Sequence, residues 1–134
     1  MSLSPKRIGT TMSVRIGWIV TGIVTLFLWM DAAMKLLRRD VVFETMTQLG
    51  WSASSVIPLG IILLVVSCLY VIPRTSLLGA ILLTGYLGGA IATHLRIGSP
   101  LLTHTFFGVY VGGVAWLGLF LRSADFRRAL GLGR

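Results

Sequence analysis

The sequence predicts an all-α protein, a polytopic transmembrane four-helix bundle with a short interfacial helix between the first two spans. Four apolar runs, at 16–37, 55–72, 76–95 and 101–121, support this prediction. Each run is close to the ~20 residues that a helix needs to cross the hydrocarbon core of a bilayer. Only 12% of the residues are charged, whereas a soluble domain has about 25%. The runs are apolar on all sides, which in a chain of 134 residues indicates lipid around the bundle.

The segment between the first two spans has a pattern of its own. Val42, Met46 and Leu49 recur at helical spacing, and Gly50 follows them as a C-cap. Trp51 comes next and is suited to the membrane interface. This pattern predicts a short amphipathic helix on the membrane surface, with an irregular loop as the alternative.

The rest of the chain divides around the spans. Residues 1–13 are polar and basic and are expected to form a mobile segment, 14–125 the bundle, and 126–134 a cytoplasmic tail. Eight lysine and arginine residues fall on the side that holds both termini, and four fall on the other side. This excess places both termini in the cytoplasm. The net charge of +8 therefore reflects membrane topology. The sequence has no basic stripe with interleaved aromatic residues, so a nucleic-acid partner is not expected.

The third and fourth spans each contain a pair of glycines four residues apart. The pairs are Gly85 with Gly89 and Gly108 with Gly112, at matching depths on either side of the turn. In lipid, pairs of small residues at this spacing let two helices approach closely. We therefore predict that the two faces pack on each other within one chain, with a glycine-mediated homodimer as the alternative.

Ionisable residues collect at one end of the predicted bundle. They are Asp31, Lys35, His94, Arg96 and His104. Such groups at membrane depth are costly unless they are paired or hydrated, so we predict that they form a ligand-binding site. Asp31 precedes Lys35 by four residues, which also favours a simple ion pair within the helix. For Asp31 and Lys35, a purely structural ion pair and a ligand-binding role are therefore equally favoured.

The same residues argue against a resident metal or haem. Two histidines are too few for a zinc site, which takes about four ligands. Helix geometry turns His94 away from the glycine face, so the sequence leaves open whether its ring faces that of His104. Cys68 is the single cysteine, which excludes an internal disulfide or a paired-cysteine redox centre. No metal and no cofactor of its own is predicted.

Three stretches carry a family resemblance: Asp-Ala-Ala-Met-Lys-Leu at 31–36, Leu-Gly-Trp at 49–51, and Gly-Tyr-Leu-Gly-Gly-Ala-Ile-Ala-Thr-His-Leu-Arg-Ile-Gly-Ser-Pro at 85–100. With these stretches the chain resembles the DoxX-like family of small bacterial membrane proteins. The resemblance covers about 14–125 and implies a four-helix bundle in the bacterial cytoplasmic (inner) membrane. Some members of the family are subunits of a thiosulfate:quinone oxidoreductase, and others accompany redox or detoxification enzymes.

The leading functional hypothesis is that the outer-end residues bind a quinone-like or other small lipophilic molecule as part of a membrane redox system. A redox partner protein would then hold the cofactor, so the chain is expected to depend on that partner more than to act as an enzyme alone. The alternative is a non-catalytic assembly or anchoring subunit for a redox or detoxification protein. A small-solute transporter is disfavoured, because the inner half of the predicted bundle has few polar residues.

Overall fold

The chain folds as an all-helical bundle in the computed structural model, which describes residues 5–132 and side chains from Thr11 onward. A 3₁₀ turn (Ala53–Ser55) and a π-helical turn (Leu101–Thr105) precede the third and fifth helices, and no strand occurs in residues 5–132. The predicted all-α fold is confirmed. The α-helices in chain order are α1 (Pro5–Leu36), α2 (Asp40–Gln48), α3 (Val56–Val71), α4 (Ser76–Arg96), α5 (Phe107–Arg122) and α6 (Ala124–Ala129).

Four helical segments are long and apolar enough to cross a membrane: Thr11–Leu36, Ala53–Val71, Ser76–Arg96 and Leu101–Arg122. They coincide closely with the predicted spans. Between 28% and 33% of an 18-residue apolar stretch in each is buried inside the protein, so most of the apolar surface faces outward. An apolar exterior of this extent needs lipid, and the protein is therefore a multi-pass membrane protein.

The four spanning helices form a ring. Helix α1 packs on α3 and α5, and α4 packs on the same two helices, so α1 and α4 face each other diagonally. The core between them contains Leu28, Leu63, Leu83 and Leu119, each almost completely buried. One end of the ring holds α2 and the turn between α4 and α5; we call it the α2 end. The other holds α6 and is called the termini end.

Helix α2 confirms the predicted amphipathic segment. Val42 and Met46 are buried and pack with Val56 at the start of α3, while Leu49 packs against this cluster. Gly50 then adopts φ +80°, the left-handed conformation that ends helices and favours glycine. Helix α2 therefore lies over the end of the bundle and contributes side chains to it.

The predicted boundaries differ from the observed helix ends. Helix α1 begins at Pro5, so residues 5–13 continue the first helix, whereas residues 1–4 of the predicted mobile segment lie outside the described residues. Helix α6 (Ala124–Ala129) crosses the predicted start of the tail at 126. The mobility of these segments stays a prediction.

The termini end is closed by a buried arginine. The Arg122 guanidinium donates to the carbonyl oxygens of Tyr70 and Val71, which would otherwise lack partners at the end of α3. Its Cζ lies 4.6 Å from the centroid of the Trp18 ring and 5.0 Å from that of Tyr70. In the sequence, Arg122 counts only as one of the eight basic residues on the side that holds both termini. The structure adds that it is 7% exposed and joins α1, α3 and α5.

Candidate binding site at the α2 end

A cavity of about 520 Å³ lies at the α2 end, within the range of about 300–1,000 Å³ typical of small-molecule sites. Helices α1 to α5 all contribute to its wall, together with the π-helical turn. Most lining side chains are apolar, including Phe27, Leu63 and Val111. The polar lining residues are Asp31, Lys35, Thr45, Tyr86, Thr93, His94, His104 and Thr105. An apolar space with a few polar groups is typical of a site for a small lipophilic ligand.

The cavity exists because Gly85 and Gly89 on α4 face it without side chains. A Cβ atom added at either glycine would have no atom within 4 Å. Both residues line the cavity. The predicted packing of this pair against Gly108 and Gly112 therefore does not form. The missing side chains of α4 create empty space instead of a helix contact.

The glycines of α5 do contact α4, but through larger side chains. A Cβ atom at Gly108 would lie 2.9 Å from Ile91 Cγ1 and 3.2 Å from the carbonyl oxygen of Leu87. One at Gly112 would lie 3.4 Å from Leu87 Cδ1, an ordinary contact distance. Gly108 thus allows α5 to approach α4 closely beside the cavity, which is the role expected of a small residue in a membrane bundle.

Lys35 and Asp31 form the expected ion pair, with 2.5 Å between Lys35 Nζ and Asp31 Oδ2. Both residues also line the cavity, so pairing does not remove them from the site. Gly60 on α3 explains how the lysine is held, since a Cβ atom there would lie 2.9 Å from Lys35 Cβ. The close helix approach buries the stem of Lys35 and leaves its charged group at the cavity.

His94 and His104 lie side by side. The sequence alone left open whether their rings are close to each other. Their ring centroids are 6.0 Å apart and the rings are inclined by 56°. The Nδ1 atom of His94 is 3.0 Å from Ser99 Oγ, and that of His104 is 2.8 Å from Thr103 Oγ1. Neither Nε2 atom makes a hydrogen bond within the part of the chain that the structure describes. Local partners therefore orient both rings and leave one nitrogen of each available to a ligand.

The turn between α4 and α5 produces this juxtaposition. Gly98 takes φ +72°, and the chain then enters the π-helical turn, in which the N–H of Thr105 donates to the carbonyl of Pro100 at 3.1 Å. Thr105 is fully buried, and its hydroxyl donates to the carbonyl of Ser99 at 3.3 Å. The wider turn changes the direction in which His104 points relative to a regular helix. Sequence spacing alone did not indicate a π-helical turn.

Arg96 does not line the cavity, although it belongs to the predicted set. Its Nη2 donates to the carbonyl oxygen of Leu49 at 2.9 Å, where α2 ends. It lines a second, smaller groove of about 290 Å³ together with Gly50 and Trp51. The structure thus brings Asp31, Lys35, His94 and His104 to one space and sets Arg96 apart from them.

Two polar residues outside the predicted set also line the cavity, although the sequence already suggests Tyr86 as a donor to a ligand carbonyl, with local hydrogen bonding as the commoner role. Tyr86 lines it from α4, and its hydroxyl makes no hydrogen bond among residues 11–132. Thr45 lines it from α2, whose role in the wall could not be predicted from an amphipathic pattern alone.

Comparison with known proteins gives a family. The sequence profile of the DoxX-like family matches residues 19–118, which include every residue named on the cavity wall. No curated protein and no solved structure shows a significant match to the chain. Within residues 5–132, no group of three or more His, Cys, Asp or Glu side chains could hold a metal ion.

Proposed function

The chain is an integral membrane protein that belongs to the DoxX-like family, and we propose that it binds a quinone-like lipophilic molecule in the cavity at the α2 end. The observation that carries the proposal is a cavity of about 520 Å³ in which apolar walls surround a few hydrogen-bonding groups. It suits the ring and the first part of the tail of a membrane-soluble compound.

The polar groups suit carbonyl or hydroxyl oxygens. Lys35 Nζ, the Tyr86 hydroxyl and the free nitrogens of His94 and His104 all supply donors at the cavity, depending on the histidine tautomers. The Lys35 ammonium adds a charged donor, and hydrogen bonds to charged groups are the stronger ones. A quinone has an acceptor oxygen at each of two opposite positions of its flat ring. Helices α1 and α4 lie diagonally opposite each other in the bundle, so donors on these two helices fit the two oxygens.

The proposed role is that of a quinone-holding subunit in a membrane redox system. The chain would bind and orient the quinone, and a redox partner protein would supply the cofactor. The excess of lysine and arginine at the termini end supports a cytoplasmic location for both termini in the inner membrane, with the cavity toward the outer leaflet.

Binding can be tested by titrating the detergent-purified protein with a short-chain ubiquinone and following tryptophan fluorescence, since Trp51 lines the cavity. Gly89→Leu should fill the cavity and weaken binding by about tenfold or more. Gly88→Leu is the matched control: it adds the same side chain one residue away, where a Cβ atom also meets nothing within 4 Å, but outside the cavity wall.

The double variant His94→Ala/His104→Ala should weaken binding by about tenfold, the loss expected for two ordinary hydrogen bonds. Affinities equal to that of the wild type in this variant and in Gly89→Leu would exclude the cavity as the quinone site. Purification of the protein in mild detergent distinguishes quinone binding from the alternative role as an assembly subunit. A stoichiometric protein that copurifies without any quinone would favour an assembly subunit.

A further inference from the structure

A second groove lies beside the cavity at the α2 end. It has a volume of about 290 Å³ and is lined by Gly50, Trp51, Ala92, Thr93 and Arg96. Trp51 and Thr93 also line the large cavity, so the two spaces are adjacent. Trp51, Ala92 and Arg96 are exposed at the outside of the bundle. The groove therefore faces the surroundings of the protein and not its core.

Arg96 gives this groove an unneutralised positive charge. Its guanidinium has five N–H donors, and the only hydrogen bond it makes within residues 11–132 runs from Nη2 to the carbonyl of Leu49. Among residues 11–132, the two ion pairs are Lys35 with Asp31 and Arg128 with Asp125, and neither includes Arg96. Most of the guanidinium thus remains free for an anionic group.

The position of the groove determines which anion can reach it. Arg96 is the last residue of the spanning helix α4. The end of a membrane-spanning helix is where phospholipid phosphates are expected to surround a protein. Trp51 is 38% exposed beside it, as expected for an aromatic residue at the membrane interface. Leu95, next in sequence, is 53% exposed and continues the apolar surface toward the acyl chains.

From these contacts we infer that the groove binds the phosphate group of a membrane phospholipid in the leaflet at the α2 end. The phosphate oxygens accept hydrogen bonds from the free N–H groups of Arg96, a pairing that guanidinium geometry favours. Trp51 packs against the glycerol region, and Ala92, which is small, leaves room for the start of an acyl chain. Meanwhile Nη2 keeps its bond to Leu49, so the lipid also supports the end of α2.

The inference can be tested by native mass spectrometry of the full chain with short-chain phosphatidylglycerol. Arg96→Ala should reduce lipid retention by about tenfold, the loss expected when charge-assisted hydrogen bonds are removed. Arg39→Ala is the matched control, because Arg39 is an exposed arginine at the same end that does not line the groove. It should retain lipid like the wild type.

A second variant separates the groove from the helix support that Arg96 also provides. Ala92→Leu fills the groove while leaving the Arg96–Leu49 bond in place, and it should reduce retention several-fold. The inference is wrong if Ala92→Leu retains lipid normally or if Arg39→Ala loses as much as Arg96→Ala. Inorganic phosphate should not displace the lipid at millimolar concentration; displacement would indicate a site for a free anion.

Discussion

Glycines serve two opposite purposes in the bundle, and the clearest example of each lies at a different end. At the termini end, glycines lie where helices touch: a Cβ atom at Gly17 would be 2.5 Å from the backbone N of Arg122, and one at Gly118 would be 2.9 Å from Thr21 Oγ1. At the α2 end, Cβ atoms at Gly85 and Gly89 would meet nothing within 4 Å. A glycine in a membrane helix can therefore close a contact or open a cavity.

The polar groups follow the same division. At the termini end, Arg122 uses its guanidinium on the carbonyls of α3 and stacks on aromatic rings. At the α2 end, His94 and His104 each keep a nitrogen without a partner among the described residues, at the wall of a cavity. The first arrangement holds helices together, and the second leaves donors for a ligand. On the proposed function, binding is thus assigned to the α2 end, whereas the contacts of Arg122 stabilise the termini end.

The largest expected difference is between alanine substitutions at Gly79 and Gly89. A Cβ atom at Gly79 would overlap the backbone of Tyr70, so Gly79→Ala must push α4 away from α3. We expect it to lower the free energy of unfolding by about 3 kcal/mol, as severe overpacking does. Gly89→Ala enters open space and should leave that free energy nearly unchanged. Unfolding curves in mixed detergent measure both, and equal losses would contradict the distinction between the two ends.

The next effect concerns Arg122. Replacing it with leucine removes the buried charge and leaves the carbonyls of Tyr70 and Val71 without their donor. The free energy of unfolding should fall by about 2 kcal/mol, the range for hydrogen bonds to a charged group. Arg74→Leu is the control, because Arg74 is an exposed arginine in the turn between α3 and α4. A loss of similar size for Arg74→Leu would mean that net charge, and not this contact, is responsible.

The sequence predicted the fold more completely than the site, for a physical reason. Span length and apolar composition are properties of one segment, so the four helices and the amphipathic α2 could be predicted directly. The direction of a glycine face depends on how neighbouring helices rotate, so Gly85 and Gly89 were assigned to a helix contact that does not form. The pairing of His94 with His104 depends on a π-helical turn that spacing does not reveal.

Gly50 should show a smaller and more local effect. It adopts φ +80°, and a Cβ atom there would lie 2.6 Å from Arg96 Nη2, so Gly50→Ala strains the backbone and disturbs the bond to Leu49. The backbone term alone is about 1 kcal/mol. Hydrogen exchange of the α2 amides should become about fivefold faster, the ratio that corresponds to this energy. Unchanged exchange in α2 would show that neither the turn nor Arg96 restrains the helix.

The smallest effect on stability is expected at the ion pair of the cavity. Asp31 is 40% exposed in its side chain, and a cavity with several polar groups admits water, so the pair resembles a helix-surface pair more than a buried one. Asp31→Asn should therefore change the free energy of unfolding by about 0.5 kcal/mol. Lys35→Met should be equally mild for unfolding and yet weaken quinone binding several-fold, because it removes the charged donor. If Lys35→Met instead unfolds the protein as readily as Arg122→Leu does, then Lys35 holds the bundle together, and the α2 end is not specialised for binding.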